Sequence, residues 1–154
     1  LKMIADSFHL RPIYISRTVG PLAETLGLEH NLLAEGLASK VFVPPTIAGR
    51  DTVRVQGDGY FDVVTSKALW DDVYLAPKSL MKRHGWVDQP SINVPFLYVA
   101  TGAELAQLEQ SLGDTAAAAR AMHDVRGIAT ALNFDHAFPS MVLPLLPPPG
   151  TKPR

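Results

Sequence analysis

The chain has 154 residues and a mass of 16.7 kDa, with 47% apolar residues, 19% charged residues and a formal net charge of -1. That length predicts one domain able to bury a core of its own, and the apolar content excludes wholesale disorder. The absence of cysteine excludes disulfide scaffolds, thiol catalysis, thiolate zinc sites and iron–sulfur clusters, so no cofactor is expected.

Fourteen Lys and Arg against fifteen Asp and Glu create no bulk field that would draw the chain to nucleic acid or an anionic membrane. The strongest apolar runs, 94–100 and 141–146, fall far short of ~20 residues and each contains a proline, so membrane insertion is not expected. The chain opens on Leu1 rather than methionine and reads as trimmed or processed. The run from Leu1 to Asp6 has no basic-then-apolar signal pattern.

Residues 10–16 predict a strand with Ile13 and Ile15 on one side and Tyr14 on the other; Pro12 puts it at an edge or a strand start. Residues 21–28 and 31–39 predict two short helices. Leu22, Leu26, Leu33 and Leu37 have helical spacing, and Gly27 marks the break. Val41 to Val43 is a short apolar run stopped by Pro44 and Pro45. Thr52–Gln56 and Tyr60–Val64 alternate as two strands, and Gly57-Asp58-Gly59 supplies the positive φ of a tight hairpin.

Thr65 or Ser66 then caps a helix through Leu75 that buries Ala68, Leu69 and Val73, with Trp70 a further candidate for burial. Pro77 suits the first turn of a short basic helix reaching His84 and closed by Gly85. Residues 92–99 predict another buried strand. Thr101-Gly-Ala-Glu104 has the form of a capping box, opening a helix with Leu105, Leu108 and Leu112 as its apolar stripe and Gly113 beyond its end. Asp114 caps a last helix to about Leu132, which Asn133 ends in a left-handed conformation.

Six of the thirteen prolines lie between Pro139 and Pro153, which rules out a helix or central strand there and favours extended geometry. The expected fold is therefore α+β: one compact body over 1–138 with a hairpin, a small sheet and about five helices, then an extended tail over 139–154. Helices and strands do not alternate strictly, which argues against a doubly wound parallel sheet.

Within the body, the run from Val19 to Leu37 resembles the DNA-binding helix-turn-helix pattern. Small Ala23 falls in the first helix, Gly27 at the turn and Leu33 at the buried position of the second. The would-be recognition helix carries Glu29 and Glu35 and no Arg or Lys before Lys40. Carboxylates repel phosphates, so a plain packed αα-hairpin is the favoured reading.

Lys78, Lys82, Arg83 and His84, with Lys67 upstream and Trp86 just after, are candidates to bind nucleic acid or phosphate. The structural alternative is that cations there complement a helix C-terminus while Trp86 anchors its loop in the core. His123-Asp124 and Asp135-His136 offer acid–base or metal-ligating groups. Neighbouring residues on a helix point about 100° apart, and no His-x-x-x-His spacing exists, so no catalytic or metal-binding residue is assigned. Asp71-Asp72 diverge in the same way. No Walker loop, dinucleotide fingerprint or nucleophile elbow is present.

In the tail, Phe138, Met141, Val142, Leu143, Leu145 and Leu146 are too apolar for a free linker. An extended apolar peptide gains stability by lying in a groove of its own domain or of a partner, at ~1.5–3 kcal/mol for each large side chain buried.

Three functions follow. The first is a non-enzymatic assembly component of a virion, phage particle or organellar complex, self-associating or binding protein partners through Phe138, Met141, Leu143, Leu145 and Leu146. The second is a nucleic-acid-binding accessory protein, for RNA or DNA, using Lys78, Lys82, Arg83 and His84. The third is an enzyme with a His/Asp site. The expected setting is soluble, inside a cell or a large particle.

Overall fold

The structure is a computed structural model and describes residues 2–8, 10–19, 22–28, 30–43, 52–55, 59–86 and 88–134. It is mixed α+β, as expected, and divides into two units, Leu1–Val73 and Tyr74–Arg154. Residues 135–154, and with them the tail and the Asp135-His136 pair, lie outside the described residues. Among the described residues no helix is long and apolar enough to cross a membrane.

The first unit is built on a five-stranded sheet. Its strands are β1 (Tyr14–Ser16), β2 (Leu32–Glu35), β3 (Ala38–Val41), β4 (Thr52–Val55) and β5 (Gly59–Asp62), in the spatial order β1-β3-β2-β5-β4. Neighbours are antiparallel except β2 and β5, which run parallel with Leu33 opposite Tyr60 and Ala34 opposite Phe61. Two short helices precede and follow β1: α1 (Lys2–Ser7), which the sequence reading missed, and α2 (Leu22–Thr25).

The expected β4–β5 hairpin forms, but with Val55 opposite Gly59, so that Gly59, at φ 82°, opens β5 instead of lying in the turn. The turn at 56–58 lies outside the described residues. In β1, Tyr14 faces out and Ile15 inward, again as the alternation implies.

The expected second helix over 31–39 is instead the β2–β3 hairpin, so no helix-turn-helix forms there. Its two-residue loop is Gly36-Leu37, and Gly36 has φ 64°. Glycine at positive φ in the first central position is the chemistry of a II′ hairpin, whose twist matches that of the flanking strands. Asn31 prolongs the pairing. Its carbonyl accepts the Phe42 N–H at 2.9 Å, and its Nδ2 donates to the Phe42 carbonyl at 3.1 Å. Leu32, Leu33 and Ala34 are all buried, so both faces of this interior strand are covered.

Helix α3 (Val63–Ala68) starts three or four residues earlier than expected. Asp62, not Thr65 or Ser66, is its N-cap: the carboxylate accepts the Thr65 N–H and the Thr65 hydroxyl, each at 2.8 Å. This ends β5 at Asp62 rather than Val64. A π-helical turn over Leu69–Val73 follows, and the buried side chains are Val63, Ser66 and Trp70. Ala68 is exposed, Leu69 half-buried and Val73 58% exposed, contrary to the expected apolar stripe. The π turn widens the winding and rotates Val73 out of line with α3. Ser66 has another role: its Oγ accepts the Gly36 N–H at 2.9 Å, tying α3 to the β2–β3 loop.

The described residues of the second unit are built on helices. Helix α4 (Ala76–Leu80) has Pro77 in its first turn, as read, but ends well before His84. Helix α5 (Asn93–Ser111) replaces the strand expected over 92–99, and it also absorbs the supposed capping box. Pro95 is tolerated because it sits in the first turn, where its missing N–H has no helical partner to lose. Thr101 is therefore mid-helix and buried. Helix α6 (Thr115–Ala131) is capped by Asp114, whose Oδ1 accepts the Ala117 N–H at 3.0 Å.

Between α5 and α6, Gly113 takes φ 90°, closing an antiparallel pair. Buried Gly102, Ala103 and Ala106 on α5, and Ala117, Ala118, Ala121 and Ala129 on α6, leave little between the backbones. Larger Leu105, Met122, Val125 and Ile128 fill the rest of this core. Phe96 and Phe134 meet edge to face at 6.4 Å.

Candidate anion-binding cleft

Helix α6 has two faces. Ala117, Ala121, Val125, Ile128 and Leu132 are buried, whereas His123, Arg126, Gly127 and Thr130 fall within a stripe about 100° wide on the other side. The loop after α4 lies along that stripe and stays close for two reasons.

Gly85, at φ 84°, donates its N–H to the Ala131 carbonyl at 2.7 Å, which fastens the loop to the end of α6. Gly127 removes the obstacle further back: a Cβ there would stand 2.5 Å from Met81 Sδ and 2.9 Å from Cγ. Normal carbon contacts need ~3.5–4.0 Å, so the Met81 side chain rests on bare helix backbone.

The outcome is an open cleft of about 710 Å³ lined by Met81, Arg83, His84 and Gly85 from the loop, by the α6 residues named above, and by Ala131 and Asn133 just beyond. Asn133 has φ 60°, the left-handed helix end anticipated from its side chain. Two guanidiniums and two imidazoles thus share one concavity.

Among the described residues no carboxylate lines the cleft, and none stands within ion-pair distance of Arg83 or Arg126. The negative end of α6 opposes an anion by roughly half a unit charge, which two full guanidinium charges exceed. Arg83 is also held in place, its Cζ 5.2 Å from the centre of the Trp86 ring. Trp86 is half-buried and donates its indole N–H to the Asp88 carbonyl at 2.7 Å.

Of the residues proposed from sequence, Arg83 and His84 line the cleft, whereas exposed Lys78 and Lys82 do not. Lys82 lies beyond the end of α4, so the expected shared helix face with Lys78 is not formed. Lys67 belongs to the other unit. His123 joins the cleft without its neighbour Asp124. Asp71 and Asp72 are both exposed. Phe138, Met141, Leu143, Leu145 and Leu146 lie outside the described residues.

The sequence reading missed Arg126, Thr130 and Asn133. The available signal was the His123-x-x-Arg126-x-x-x-Thr130 spacing on the polar face of a helix whose other face is alanine-rich. Among the described residues no group of three or more His, Asp or Glu is placed to hold a metal ion.

Two tyrosines have displaced acidities, and neither lines the cleft. The Tyr14 hydroxyl donates to Glu35 Oε2 at 2.9 Å. That hydrogen bond, then burial, then the carboxylate's charge raise its pKa. Burial first, and the nearby Tyr74 second, raise that of Tyr98.

Comparison with protein-family models, curated proteins and solved structures returns no match.

Proposed function

We propose that the protein is a non-enzymatic nucleic-acid-binding component that holds phosphate groups in the cleft between the 81–85 loop and α6. The observation that supports this reading best is the meeting of Arg83 and Arg126, with His84 and His123, in a concavity with no carboxylate among the described residues that line it. Guanidinium groups recognise phosphate through paired N–H donors, and an Arg stacked on an aromatic ring presents those donors with little freedom left to lose. Thr130 and Asn133 add neutral polar groups at the rim.

The test is equilibrium binding of the full chain to a labelled single-stranded oligonucleotide, read by fluorescence anisotropy over a salt series. Two or three contacted phosphates give a log–log salt slope of roughly -1.4 to -2.1, at about -0.7 for each contact on a single strand. Arg83→Glu combined with Arg126→Glu removes binding while the circular dichroism spectrum stays unchanged. Wild-type protein that ignores both RNA and DNA at low salt refutes the proposal.

The composition of residues 139–154 supports a separate role for the tail, as an arm that docks on a protein partner or a second copy within a larger assembly.

A further inference from the structure

We infer that the cleft receives a phosphate monoester, the doubly charged end group of a nucleic-acid strand, in preference to the singly charged diesters along it. This rests on the nucleic-acid reading above and adds to it the chemical class of the group bound.

Charge carries the first part of the inference. An internal phosphodiester brings one negative charge and two free oxygens. A terminal monoester brings about -1.5 to -2 at neutral pH and three strong acceptor oxygens. A surface that follows a strand needs cations spaced along a line. Here Arg83, Arg126, His84 and His123 converge on one hollow. Two guanidiniums bring two full positive charges, and with the imidazoles they offer more N–H donors than one diester can use.

Shape carries the second part. The cleft is open and about 710 Å³ in volume, room enough for a phosphate and the nucleoside attached to it. Met81 supplies an apolar patch in it, and Arg83 on Trp86 supplies a flat cationic surface. A phosphate with its first nucleoside fits such a mixture of charge, flat surface and thioether.

Lys78 and Lys82 complete the picture. They are exposed, close in sequence to Arg83, and outside the lining. As strongly hydrated point charges they attract diesters without fixing their geometry. The structure therefore separates an end-group receptor from general cationic surface, and the two are separable by mutation.

The experiment uses one single-stranded sequence in three forms: 5′-phosphorylated, 3′-phosphorylated and with hydroxyls at both ends. A nucleoside monophosphate serves as the fourth probe. One phosphorylated form is expected to bind about tenfold more tightly than the hydroxyl form, the gain of one or two charge-assisted hydrogen bonds. Arg126→Ala collapses that ratio towards one. Lys82→Ala weakens all three oligonucleotides together and keeps the ratio.

Equal binding of all three forms by the wild-type chain overturns the end-group inference and leaves the nucleic-acid reading standing. No binding by any probe overturns both. A nucleoside monophosphate that binds as tightly as the phosphorylated strand, with the hydroxyl strand silent, upholds the monoester receptor and overturns the nucleic-acid reading.

Discussion

Replacing Gly127 by alanine sets two effects of similar size against each other. Alanine in a helix interior is favoured over glycine by ~0.8–1 kcal/mol. The new Cβ, however, stands 2.5 Å from Met81 Sδ and 2.9 Å from its Cγ, so the thioether must retreat by more than an ångström. Overpacking of this kind costs typically ~1–3 kcal/mol, towards the lower end where the obstacle is a flexible side chain such as methionine. The expected net effect is a loss of about 0–2 kcal/mol.

The sharper reading comes from a double-mutant cycle. Met81→Ala alone loses the burial of a half-exposed side chain, about 1–2 kcal/mol. With Met81 already truncated, Gly127→Ala has nothing to strike and delivers its helix gain. The double variant is therefore more stable than the summed singles by about 1–2 kcal/mol, measured from urea unfolding curves. If the two singles add within about 0.5 kcal/mol, the loop does not rest on α6 at Gly127, and the geometry of the cleft is wrong.

Other perturbations test separate parts of the molecule. Asp62→Ala removes two 2.8 Å hydrogen bonds at the start of α3 and is expected to cost about 1–2 kcal/mol in urea melts, with Asp62→Asn retaining most of the stability. Tyr14→Phe tests a pH dependence of defined sign. The phenol's pKa is raised above its ordinary 10.0, so its bond to Glu35 contributes fully below that value and is lost as pH rises through the folded-state pKa. The stability difference between wild type and Tyr14→Phe should shrink in alkali; a difference that grows there contradicts the assignment. For the tail, truncation after Phe138 is expected to reduce the size of the native particle in gel filtration. A monomer with and without residues 139–154 counts against self-assembly.

Local signals were enough where a single residue type forces the backbone. Gly59 at φ 82° opens β5 of the β4–β5 hairpin, Pro77 opens α4, Asp114 caps α6, and Gly113 and Asn133 end helices at positive φ. Each rests on chemistry within four residues of itself. The errors lie where two local readings compete. Leu33 and Leu37 have helical spacing, yet Gly36-Leu37 equally makes a two-residue hairpin loop. Pairing with β1 and β5 decides the matter, and both partners are distant in sequence. Residues 92–99 are rich in β-branched and aromatic side chains, but packing of α5 on α6 through glycine and alanine outweighs a propensity worth only tenths of a kcal/mol per residue.

The amino-acid sequence by itself determined the α+β character, the ends marked by Gly113, Asp114 and Asn133, and one hairpin, because capping, turn geometry and alternation act between near neighbours. It also singled out Arg83 and His84. Only the tertiary structure decided what stands opposite them. Gly127 lets Met81 lie against α6, the Gly85 N–H reaches the Ala131 carbonyl, and His123 and Arg126 are thereby brought to the same hollow. That convergence depends on contacts between segments far apart along the chain, which no local pattern encodes.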